Sequence, residues 1–233
     1  MRATRQSALG TQAERLGSGL GAEGFAARSR RATMQTMLVA AYLGVAGAAW
    51  LAKLAARALG LVSFDAGGWL GMSGTASVLS SAGLGVCLGA ITVAATREIV
   101  PRARWGRALH GALRPAVRHA GDGALVTLAL ASALGEELLF RGLLVPLLGV
   151  VVPAVLFGAL HQVRGPGRVA WMAWATLMGL LFGVTFAATG SLAGPIVAHA
   201  VINAANLRFL RDNEPEATPK ALGGLLDAGR PRR

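Results

Sequence analysis

Six apolar segments, set apart by connections that carry nearly all of the positive charge, leave this chain few ways to fold. They run over Thr33–Leu51, Ala76–Thr96, Gly123–Leu148, Val151–Val163, Val169–Thr189 and Leu192–Leu210. About twenty helical residues cross a hydrocarbon core of about 30 Å. In lipid the backbone must satisfy its own hydrogen bonds, which restricts a spanning chain to helices or a closed barrel. Segments of this length predict an all-α fold, a polytopic membrane helix bundle of about six transmembrane segments. The fourth segment is short and carries Pro153, so it is expected to start below the surface, shielded by its neighbours. With 54% hydrophobic and 15% charged residues among 233, the chain has the composition of a membrane protein.

The placement of charge predicts orientation. The chain has 23 Lys and Arg residues and a formal charge of +12. That excess could suggest nucleic acid, but the basic residues cluster between the apolar runs, so no nucleic-acid partner is expected. Residues 1–32, the 97–118 connection, Arg164 with Arg168, and the stretch from Arg208 onward hold all but three of them. With six spans these four regions fall on one side, and the excess of Lys and Arg marks that side as cytoplasmic. Lys53 and Arg57 are left opposite, and Arg141 lies within the membrane. The reading is therefore an integral membrane protein with both termini in the cytoplasm, and the high alanine, glycine and arginine content suggests a bacterial inner (plasma) membrane. Residues 1–32 contain no apolar core of a signal peptide and read as a disordered cytoplasmic tail. Residues 33–122 hold two spans and a basic loop, 123–211 form a core, and 212–233 form a second tail. Cys87 is the only cysteine, so no intrachain disulfide forms. Trp105, Trp171 and Trp174 near the cytoplasmic boundary, and Trp50 and Trp69 near the other, suit interfacial anchoring. Gly85 with Gly89, and Gly179 with Gly183, have the small-residue spacing of close helix contacts.

Inside the third segment stand two adjacent carboxylates, Glu136 and Glu137. One charged carboxylate near the bilayer centre costs about 2.5–3.5 kcal/mol on insertion scales, so a pair there calls for a function. Glu137 and Arg141, four residues apart, share a helix face and can pair, which suits Glu137 to a supporting role. Glu136 is turned about 100° away and remains free to act as a general base. Its bland alternative is a protonated side chain bridging two helices. His161 is a second candidate, although a single histidine often only satisfies a backbone carbonyl. His199 and Asn203, also four apart, can together donate to one point, as an oxyanion requires; interhelical hydrogen bonding is the alternative. At about 1.5 Å per residue, Glu136, His161 and His199 lie about 20, 18 and 14 Å below the outer turns at Gly149 and Gly190. Three segments thus bring titratable groups to similar depth. His110 and His119 lie in the basic loop and make no such case.

These residues fall into three ordered motifs: Glu136-Glu137-Leu-Leu-Phe-Arg141, Phe157-Gly-Ala-Leu-His161 and His199-Ala-Val-Ile-Asn203. Together, on successive membrane segments, they resemble the CPBP family of intramembrane proteases, the CAAX protease and bacteriocin-processing (Abi) group. The flanking Thr189-Gly-Ser-Leu-Ala-Gly-Pro-Ile-Val-Ala-His199 agrees, and the resemblance spans about Gly123 to Leu210. It implies an endopeptidase acting on a membrane-associated or lipidated protein or peptide, by CAAX-type processing or by maturation of bacteriocins or surface proteins. Glu136 and His161 would then activate water, His199 and Asn203 would stabilise the oxyanion, and Glu137 with Arg141 would hold the site. Members are often labelled metalloproteases. No His-Glu-x-x-His helix is present, but Glu136, His161 and His199 could supply three zinc ligands. A glutamate-activated water without metal is the favoured expectation. Two other classes remain: a proton- or ion-coupled transporter, since buried Glu and His also relay protons, and an inactive membrane scaffold. No evident inverted repeat supports the first, and the full motif set argues against the second.

Overall fold

A computed structural model describes residues 29, 32–61 and 68–214. The tails expected over residues 1–32 and 212–233 lie almost wholly outside them. All regular structure among the described residues is helical. The helices are α1 (Ala32–Ala58), α2 (Gly74–Arg102), α3 (Arg104–Val117), α4 (Asp122–Glu137), α5 (Val145–Leu148), α6 (Val151–Leu160), α7 (Arg168–Thr189) and α8 (Ala193–Asp212). A π-helical stretch, Leu138–Leu144, joins α4 to α5, so Asp122–Leu148 is one continuous rod. Four helices are long and apolar enough to cross a membrane: α1, α2, the Asp122–Leu148 rod and α7. The chain is an integral membrane protein. The expected count of six also needs α6 and α8. At ten residues α6 is about half the length required. α8 has twenty residues, but His199, Asn203, Asn206 and Arg208 interrupt its apolar character.

Three expected segments differ in extent, and α2 runs on to Arg102, past the expected end at Thr96. α1 continues to Ala58, so Lys53 and Arg57 lie in its last turns rather than beyond it. α6 stops at Leu160, short of Val163. Pro166 cannot donate to a helix and pushes Gly165 away from helical backbone, and Gly165 takes φ 105°. The basic loop is itself a helix, α3. Its Gly106, Leu109, His110 and Val117 face inward while Arg104 and Arg118 are exposed. Its apolar residues recur every three or four positions, but arginines between them mask the pattern.

Glycine lets the rods approach closely. A Cβ on Gly85 would run into the backbone of Gly194, and one on Gly89 would press on Val201, which seats α2 against α8. Gly179 and Gly183 take the same part in α7, facing Ala154 of α6 and Val150 just before it. Gly135 in α4 meets the Tyr42 backbone of α1. Both pairs of spaced glycines in the sequence are thus helix contacts. At one pole of the bundle, Ser77 Oγ donates to the Thr189 carbonyl at 2.6 Å and Ser81 Oγ to the Ser191 carbonyl at 3.0 Å. At the other pole, Arg211 pairs with Asp122 at 2.8 Å and Gly167 packs on Trp105 and Leu109. The 97–118 connection, the α6–α7 turn and the end of α8 therefore gather at the same basic pole.

Candidate active site

The two glutamates end α4, and there the helix widens into its π turn. π segments are rare and frequently mark functional sites. Glu137 is fully buried, at 0% exposure, and Arg141 is at 1%. Arg141 Nη1 donates to Glu137 Oε1 at 2.9 Å, and Nη2 donates to the Gly179 carbonyl at 3.0 Å. The guanidinium also stands 4.7 Å from the Phe157 ring centroid and 5.2 Å from that of Phe182, within the range of cation–π attraction. Glu137 Oε1 accepts a second bond, from His199 Nδ1 at 2.7 Å. Glu137 therefore neutralises Arg141 and also fixes the ring of His199. The sequence spacing revealed only the first of these tasks.

With Nδ1–H given to Glu137, His199 presents Nε2 to the other glutamate. That nitrogen lies 3.8 Å from Glu136 Oε2. It accepts a proton in the neutral ring and donates when the ring carries both protons. Stacking on Phe182, with centroids 5.5 Å apart, holds the ring plane. Glu136 is partly open, its side chain 17% exposed, and it lines a cavity of about 340 Å³. Its Oε2 is buried and has no hydrogen-bond partner. Both carboxylates keep an unpartnered Oε2, but Glu137 is sealed in and anchored through Oε1, whereas Glu136 faces a cavity.

His161 stands where α6 ends, its backbone already non-helical at φ −80°, ψ 70°. Nδ1 donates to the Phe157 carbonyl at 2.7 Å, which leaves Nε2 as the acceptor. It shares the cavity wall with Glu136. Phe157 ties the site together: its ring lies 4.4 Å from His161, 5.0 Å from Phe140 and 6.0 Å from His199. Asn203 also lines the cavity, but its Nδ2 donates to Ser132 Oγ at 3.0 Å, and Ser132 in turn donates to the Ala129 carbonyl. One amide hydrogen of Asn203 is held by Ser132, and the second is left for another acceptor.

Sequence reasoning overlooked several members of this site. Ser132 holds Asn203. Tyr42, the only tyrosine, borders the cavity beside Glu136 and interacts with it. Neither lies within a motif, and Tyr42 arrives from α1, far away in sequence. Trp105, Trp171 and Trp174 line the cavity, so interfacial anchoring does not describe them fully. His110 is buried; Nε2 bonds the Asn213 carbonyl at 2.9 Å, and the ring meets Phe209 edge-on.

The zinc alternative requires Glu136, His161 and His199 to converge. Among the described residues no three His, Cys, Asp or Glu side chains are grouped to hold a metal ion. The Nδ1 atoms of both histidines are engaged by Phe157 and Glu137. Both rings keep Nε2 free of these bonds, and no step below passes through a metal.

Residues 123–205, roughly a third of the chain, match the family described as type II CAAX prenyl endopeptidase Rce1-like. All three motifs fall inside that stretch, so the match and the CPBP resemblance concern the same residues. The family is one of proteases, and the match supports an enzyme of that class embedded in the membrane. No curated protein matches the chain, and no solved structure matches it.

Proposed function

We propose that this chain is a CAAX-type intramembrane endopeptidase that hydrolyses a peptide bond with a glutamate-activated water. The observation that carries the proposal is the contrast between the glutamates: Glu137 is fully buried with Oε1 held by Arg141 and His199, while Glu136 is partly open and borders a cavity. Water held between Glu136 and His161 Nε2 gives a proton to the Glu136 carboxylate as its oxygen attacks the scissile carbonyl. The carbonyl oxygen becomes an oxyanion and accepts from Nε2–H of His199, whose ring carries both protons in this step, and from the free amide hydrogen of Asn203. When the carbon–nitrogen bond breaks, Glu136 returns the proton to the departing amine. Exclusion of bulk water strengthens each of these electrostatic contacts. Six spans with both termini in the cytoplasm of a bacterial inner membrane would put the cavity's basic end at the cytoplasmic leaflet. There it could admit the membrane-bound end of a lipidated peptide.

Detergent-purified protein incubated with labelled lipidated peptides tests the reading. Cleavage is expected, and Glu136→Gln should nearly abolish it while the fold survives, because shape is kept and the base removed. A Glu136→Gln variant that cleaves at the parental rate would falsify the assignment. Exhaustive chelation is expected to leave the rate unchanged. Stoichiometric zinc that leaves together with activity and restores it on return would transfer water activation to the metal.

A further inference from the structure

The cavity continues from Glu136 toward the basic pole, where its wall carries a cation that this chemistry does not use. Arg97, in the last two turns of α2, is half-buried there. Nη1 donates to Asn206 Oδ1 at 3.0 Å, Nη2 donates to the Ala205 carbonyl at 2.9 Å, and the guanidinium lies 4.0 Å from the Phe209 centroid. All of these partners are neutral. Arg141 has Glu137, Arg211 has Asp122 and Arg114 has Glu214, but Arg97 has no carboxylate at ion-pair distance among the described residues. Its charge is positioned without being neutralised. Asn206 is oriented by the same contacts. Its Oδ1 accepts from Arg97 and from Thr96 Oγ1 at 3.1 Å, which leaves its NH₂ as a donor with no partner among the described residues.

We propose that Arg97 and Asn206 form a carboxylate-binding subsite for the free C-terminus of the substrate peptide. The proposal rests on the endopeptidase reading and assigns to it a specificity-determining site outside the matched stretch. Arginine suits this task because its planar fork matches a carboxylate. The register agrees. His199, Asn203 and Asn206 follow one another by four and three residues on one face of α8. A scissile carbonyl held midway between His199 and Asn203 stands about 7–8 Å along the axis from Asn206, at about 1.5 Å per residue. An extended peptide advances about 3.3 Å per residue. A C-terminal carboxylate bound at Arg97 and Asn206 therefore sets the cut about two to three residues from the chain end.

Affinity read on the Glu136→Gln variant isolates this subsite from turnover. The full-length variant in detergent is titrated with two fluorescent lipidated peptides of one sequence, one ending in a free carboxylate and one in a carboxamide. The acid is expected to bind at least about tenfold more tightly, the scale of a charge-assisted hydrogen bond. Adding Arg97→Gln should erase the preference and leave carboxamide affinity unchanged. A purely structural Arg97 would instead weaken both peptides alike, and that result overturns the proposal. So does equal affinity for the two peptides while Arg97 is intact. If Arg97→Gln does not fold, Asn206→Ala decides by the same criterion of selective loss for the acid. Wild-type cleavage of both peptides at one rate and affinity removes the subsite and leaves the protease. A preference for the acid without any cleavage removes the protease and leaves the subsite.

Discussion

Glu136 and Glu137 are chemically identical neighbours, and one step along the helix separates their surroundings completely. Glu137 answers a buried guanidinium and an imidazole with the same oxygen. Glu137→Gln should therefore cost about 3–5 kcal/mol, the usual loss when one partner of a buried ion pair is removed. It should also lower activity by releasing the His199 ring. Thermal unfolding and peptide cleavage, compared with Glu136→Gln, separate the two effects: the Glu136 variant should lose activity alone. Equal stability of the two variants would remove Glu137 from its anchoring role. Asn203→Ala should lower turnover by about 10²–10³, typical of losing one oxyanion donor, with little change in KM, since the contact matters chiefly in the transition state. Ser132→Ala should reproduce part of that fall, because the hydroxyl that orients the amide is gone. An unchanged kcat in Ser132→Ala would show that Asn203 needs no such support.

At the scale of elements, close packing of glycine rather than hydrophobic burial determines which helices meet. Lipid is as apolar as the side chains, so association depends on how nearly backbones can approach. Gly85 lies against the Gly194 backbone, whereas the neighbouring Gly83 has nothing within 4 Å of the position a Cβ would take. Gly85→Leu should therefore separate α2 from α8 and lower both thermal midpoint and activity, since α8 carries His199 and Asn203. Gly83→Leu, of equal hydrophobicity and two places away on the lipid side, should change neither. Matching losses in the two variants would contradict this packing. The π turn works at the same scale. It begins immediately after Glu137 and contains Arg141, so widening of the helix coincides with the one arginine buried beside the site.

For the whole molecule, two poles of unlike chemistry organise the bundle. One is stitched by hydroxyl groups of Ser77, Ser81 and Thr189. The other collects the basic connections and the Arg211–Asp122 pair. A cytoplasmic basic pole predicts that single cysteines at Arg118 and Trp69, placed in a Cys87→Ala background, label from opposite faces of sealed vesicles. Trp69 is 70% exposed at the hydroxyl-rich pole and should react from the outside of intact cells. Labelling of both positions from one side would overturn the orientation.

The amino-acid order alone determined that this chain is a helical membrane bundle, because long apolar runs and basic connections have few other physical outcomes. It also singled out Glu136, Glu137, Arg141, His161, His199 and Asn203 as candidates, since polar groups are costly in an apolar span and stand out there. The Glu137–Arg141 contact was legible too, because it is local: four residues make one turn. What is not local stayed hidden. The bond from Glu137 to His199 crosses 62 positions and the one from Asn203 to Ser132 crosses 71, and no helical period encodes either. Arg97 looked like one more basic residue of a loop until α8 placed Asn206 and Phe209 around it. The π turn left no trace in hydropathy, because a wider helix has the same composition as a regular one. Tertiary packing decided which carboxylate would be sealed in and which would face the cavity, since that depends on the groups other helices bring within about 3 Å.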